Sequence, residues 1–168
     1  VKRNSFHGEY TTQEMSVEEI KAMQQAFVDA ACRAKKAGYD GVQFHGCHGY
    51  LINQFMSPAT NFRTDEYGGS AENRARFCSE MISKVRKLCG PDFLISVRTS
   101  GYDCSLEDAT AVAEEYVKAG CNYLQVSNGL TDLKTLPTYK DERVSDIQSL
   151  GVYFKEHFNG QVPVSCVG

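Results

Sequence analysis

Residues 45–51, HGCHGYL, set two histidines and a tyrosine within a single turn, directly after the apolar run GVQF. Only four histidines occur in the 168 residues, so a pair in one turn calls for an account. Three kinds of chemistry are open to it. His45 and His48 could ligate zinc, but a catalytic site needs a third protein ligand, and no acidic residue or further histidine lies close by in sequence. They could instead be ordinary turn residues satisfied by local backbone bonds. Or their N–H groups could converge on one oxygen and stabilise negative charge growing there, with Tyr50 supplying a proton from its hydroxyl. The third set of parts suits reduction of a carbon–carbon double bond conjugated to a carbonyl. No side chain is a hydride source, so a cofactor would have to bring one.

Composition narrows the setting. A chain of this length suits one domain, 1–168, with a real core. The net charge of −3 and the lack of basic blocks disfavour a nucleic-acid or membrane-surface role. No segment reaches the roughly 18 apolar residues of a membrane span, and the polar start VKRNSFHGEY does not read as a signal peptide. Seven cysteines without a C-x-x-C pair read as free thiols of a reducing cytoplasm.

The elements that must position the turn follow from hydrophobic periodicity. Ser16 and Glu19 form a capping box, and Val17, Ile20, Met23, Phe27, Ala31 and Ala34 predict a helix ended by Gly38. DGVQF predicts a buried strand, and a long loop over 46–70 leads to a helix with Phe77, Met81, Ile82, Val85 and Leu88 inward. DFLISVR predicts the next strand. Ser105 caps a third helix carrying Leu106, Ala109, Val112, Ala113, Tyr116 and Val117, and NYLQVS follows as a strand. A loop to about residue 144 precedes a helix with Ile147, Leu150, Tyr153, Phe154 and Phe158, and VPVSCVG is the last strand. Strands alternating with single helices imply parallel pairing and an α/β fold. Periodicity does not separate an open doubly wound sheet from part of a (β/α)8 TIM barrel. Either way, functional groups gather at the carboxyl ends of the strands, where His45, Arg98 and Ser127 fall.

HGCHGYLINQFMSPATNFRTDEYGGSAENRARF, residues 45–77, resembles the signature of the old yellow enzyme family of NADH:flavin oxidoreductases and FMN-dependent ene-reductases. The likeness continues through FVDAACRAKKAGYDGVQF upstream and DFLISVRTS, AGCNYLQVS and VPVSCVG downstream, covering essentially the whole chain. It implies a (β/α)8 barrel with FMN at the carboxyl-end mouth and NADH or NADPH as reductant. By position, His45 and His48 correspond to the pair that binds the substrate carbonyl oxygen, and Tyr50 to the proton donor. Arg98 corresponds to the cation beside the flavin N1/O2 edge, and Gly168 would open the loop that cradles the FMN phosphate. The histidine pair points to an enone or enal substrate rather than a dienoyl-CoA.

The resemblance also predicts incompleteness, because such a barrel needs about 250 residues. The chain corresponds to strands four to seven of the family's eight, a partial barrel from a larger enzyme. On its own it is expected to have little activity, weak flavin binding and a tendency to self-association through unpaired strand edges. Asn61, Arg63, Asp65, Asn73 and Arg76 are expected to form a polar network fixing the long loop, and YGGS at 67–70 a turn and helix cap. Cys47 reads as a space-filler, and Cys104 and Ser127 stand near strand ends without an assigned role. A non-catalytic α/β assembly domain that keeps the motif as scaffold, or a metal-dependent hydrolase using the histidine pair, are the competing readings.

Overall fold

A computed structural model describes residues 2–5, 8–11, 13–101, 104–127, 141–144 and 146–167. Gly168, His7 and most of the loop after residue 127 lie outside the described residues. An antiparallel hairpin of β1 (Lys2–Ser5) and β2 (Gly8–Thr11) precedes α1 (Val17–Lys36). Next come β3 (Gly41–Gly46), α2 (Leu51–Met56), α3 (Ala71–Cys89) and β4 (Leu94–Ser100). The chain continues with α4 (Leu106–Lys118), β5 (Tyr123–Ser127), α5 (Ile147–Phe158) and β6 (Val164–Val167).

The expected helices start where their caps predict. Ser16 and Glu19 close the capping box on α1, Ser70 and Ser105 cap α3 and α4, and Asp146 caps α5. Two elements are additional to the sequence reading: the N-terminal hairpin, and the short helix α2 inside the stretch expected to be loop. The buried stripes also shift at two places. Met23 is at the margin and Gln24 is buried in its place, because the Gln24 amide donates to the Phe77 carbonyl oxygen and to Glu80. Leu88 is exposed, and Cys89 turns inward instead.

The four parallel strands lie in the order β3-β4-β5-β6. With right-handed crossovers, a strictly sequential order puts every connecting helix on one face of the sheet. A doubly wound sheet needs a reversal of strand order to cover both faces. None occurs among these strands, so the arrangement is that of a barrel segment. The strand residues agree: Phe44, Ile95, Val97, Leu124 and Val126 are buried under the helices. The opposite face carries Gln43 opposite Ser96, His45 opposite Arg98, Arg98 opposite Gln125, and Ser100 opposite Ser127. This polar face is the one that looks into the interior of a barrel.

Candidate active site at the carboxyl ends of the strands

His45 is the penultimate residue of β3, and Arg98 stands beside it two residues before the end of β4. Ser127 ends β5. After Gly46 the chain turns sharply through Cys47–Tyr50, closed by a bond from the Tyr50 amide to the Cys47 carbonyl at 3.3 Å. His48 and Gly49 both take positive φ there, 61° and 74°. That conformation is native to glycine and strained for a histidine, and strain of this kind persists where surrounding bonds over-determine it. The surrounding bonds are present: Asn53 accepts from the Gly49 amide at 2.7 Å, and Gln54 donates to the Gly49 carbonyl at 2.6 Å. Both come from α2, the helix that Tyr50 opens as N-cap residue.

The turn brings the three predicted side chains together. The His45 ring lies 5.1 Å from that of His48 and 5.4 Å from that of Tyr50, centroid to centroid. His48 Nδ1 is 3.3 Å from His45 Nε2, and His48 Nε2 is 3.2 Å from Ser127 Oγ. Arg98 Nη2 donates to the same Ser127 Oγ at 3.0 Å. One hydroxyl therefore joins the arginine to the histidine pair. Arg98 can only donate, so Ser127 Oγ accepts from it.

Burial, followed by the charges of His48 and Arg98, lowers the His45 pKa below its ordinary value, which favours a neutral ring. Tyr50 is about half exposed, at 52%, and open to solvent exchange. Cys47 is fully buried in the turn, as a small core residue would be. Ser127 is the residue that sequence reasoning left without a role. Its signal was its position at a strand end, but it lies 79 positions from His48 and only the fold joins them.

The network behind the turn follows the expectation and adds a member. Asn61 donates to the carbonyls of Phe55 and Tyr67 at 2.6 and 2.7 Å, Arg63 pairs with Asp65, and Arg76 bonds Asn73 and the Glu66 carbonyl. The addition is Arg74, which is buried and bonds the Met56 and Gly69 carbonyls and Asp108 of α4. Its spacing from Phe77, Cys78 and Met81 places it on the inward face of α3, a signal available in the sequence. Among the described residues no group of three or more His, Cys, Asp or Glu side chains is placed to hold a metal ion. No described helix is long and apolar enough to cross a membrane.

The sequence model of the NADH:flavin oxidoreductase / NADH oxidase family matches residues 2–136. The chain belongs to that family. It is 41% identical over 92% of its length to an NADH oxidase of Thermoanaerobacter brockii, covering 24% of that protein. It is 42% identical over 77% of its length to an NADPH dehydrogenase of Bacillus pumilus, covering 40% of that protein. A solved morphinone reductase superposes with a TM-score of 0.75 at 28% identity, over 96% of this chain and 42% of the other. A 2-naphthoyl-CoA reductase superposes at 0.80, also at 28% identity, over 99% of this chain and 26% of the other. The chain thus spans well under half the length of these relatives.

Members of this oxidoreductase family use FMN, with NADH or NADPH as reductant. The residues present fit one edge of that group. Arg98 Nε is buried without a hydrogen-bond partner among the described residues, an orphaned cationic donor on the polar face of the sheet. An electron-rich ring edge would offer such a donor an acceptor.

Proposed function

We propose that this chain provides the carbonyl-binding and proton-donating part of an FMN-dependent NAD(P)H oxidoreductase that reduces the C=C bond of α,β-unsaturated carbonyl compounds. The convergence of His45, His48 and Tyr50 at the carboxyl end of β3 carries this reading. Arg98 would hold the edge of FMN, and Gly168 is proposed for the phosphate. When bound, FMN supplies the hydride chemistry after reduction by NADH or NADPH.

The rest belongs to side chains of this chain. The contact between the two histidines is long at 3.3 Å, so a carbonyl oxygen can take over the N–H now spent on it at little cost. Imidazole N–H groups donated to that oxygen would stabilise the charge that grows there as the alkene is reduced. Removal of one such donor elsewhere costs about 3 kcal/mol of barrier. Neutrality at His45 is useful, because a cation there would repel Arg98. Tyr50 holds the proton for the α-carbon, and its exposure lets solvent restore that proton after each turnover.

Stopped-flow kinetics on the full-length enzyme test the proton assignment. Tyr50→Phe should slow reduction of an activated enone by about 100-fold or more while flavin reduction by NAD(P)H proceeds as before. Equal loss in both half-reactions would refute it.

A further inference from the structure

At the opposite end of the strands, two thiols on different helices face each other. Cys32 in α1 and Cys89, the last residue of α3, place their sulfurs 4.0 Å apart although 57 positions separate them in sequence. Cys89 is buried and Cys32 is half-buried, so Cys32 is the more reachable of the two thiols. We propose that Cys32 and Cys89 form a reversible disulfide site that reacts with anionic low-molecular-weight disulfides.

Three features of the surroundings support this. A cavity of about 600 Å3 opens beside the pair, lined by both cysteines and by Arg33, Lys35, Lys36 and Asp29. Three cations against one carboxylate attract an anionic reactant to the sulfur that faces it. The backbone behind Cys89 is held firmly. Lys35 donates to the Cys89 carbonyl, and Arg86 Nη1 donates to the carbonyls of Gly90, Pro91 and Phe93 at 2.7, 2.9 and 2.7 Å. Forming the bond would bring the two sulfurs from 4.0 Å to about 2 Å apart. Burial and the neighbouring Cys32 thiol push the Cys89 pKa up, with Lys35 and Arg86 opposing. Reaction accordingly starts at the more exposed Cys32.

The Cys32 thiolate attacks one sulfur of the small disulfide, forming a mixed disulfide and expelling one thiolate. Cys89, deprotonated, then attacks Cys32 Sγ and expels the second thiolate. The protein dithiol is oxidised by two electrons, the small disulfide is reduced to two thiols, and the two protons from the protein pass to the departing thiolates.

The test is to expose the reduced full chain to glutathione disulfide, alkylate the remaining thiols and map the peptides by mass spectrometry. The expected product has a Cys32–Cys89 link that dithiothreitol removes, and it melts at a higher temperature than the reduced protein. In Cys89→Ala a glutathione adduct should instead persist on Cys32. In Cys32→Ser no link should form and Cys89 should remain a thiol, a result that does not depend on whether Cys89→Ala folds. Stable glutathionylation of Cys32 in the unsubstituted chain, reaction confined to other cysteines such as exposed Cys166, or a link that lowers the melting temperature would each overturn the proposal.

Discussion

His45 stands between two basic side chains in a partly desolvated corner, and the sign of its titration has a consequence for stability. Its pKa in the fold is below the ordinary 6.5, with burial as the largest cause and the charges of His48 and Arg98 after it. Above pH 6.5 the ring is neutral in the folded and unfolded chains alike, and nothing is lost. As the pH falls below 6.5 the unfolded chain takes up a proton that the folded one resists, so stability declines until the lowered folded value is passed. The urea midpoint should therefore drop on acidification towards about pH 5. His45→Gln should remove that part of the drop, and an unchanged pH dependence in the variant would assign the effect to other groups. That His45, His48, Tyr50 and Arg98 would gather at one strand-end corner was legible from residue type, position and likeness to a known signature. The role of Ser127 was not, because a serine at a strand end acquires meaning only when the fold sets Arg98 on one side of it and His48 on the other.

At the scale of elements, α2 shows where periodicity loses its grip. Six residues, LINQFM, are too few to display a helical face, and they sit in a stretch whose glycines and polar residues read as loop. Yet α2 holds the strained turn at His48–Gly49 and begins at Tyr50. It is anchored in turn by Phe55, stacked on Phe77 at 4.2 Å, and by Asn61, whose amide satisfies the Phe55 and Tyr67 carbonyls. The long helices were readable because Ile20, Ala31, Phe77, Met81, Val112 and Tyr116 repeat at helical spacing and point into one core. Gln24 escaped that pattern because a buried amide is stable only with partners that the sequence does not display. Asn61→Ala should cost about 2 kcal/mol, since it strands two buried carbonyls. Thermal or urea unfolding checks the figure, and a neutral substitution would mean that α2 is held by the aromatic stack alone.

For the whole molecule, strand order is the information that hydrophobic patterning lacked. Alternation of strands and helices fits a flat doubly wound sheet as well as a barrel, whereas the sequential order of β3 to β6 leaves helices on one face and polar side chains on the other. Such a sheet is packed against helices on one side. Among the described residues β3 pairs only with β4 and β6 only with β5, so each outer strand presents backbone groups without a neighbouring strand. Gln43 on β3 and Val167 on β6 are exposed, and neither strand carries the lysines or inward charges that blunt a free edge. The isolated 168-residue chain is therefore expected to self-associate, one copy's edges meeting another's, and sedimentation velocity should show dimers or larger species that grow with concentration. Val167→Lys sets a charge at the β6 edge and should shift the distribution towards monomer without changing the far-ultraviolet circular dichroism. A chain that stays monomeric across the accessible concentration range would show that its edges are covered by other segments, and the self-association reading would then fail.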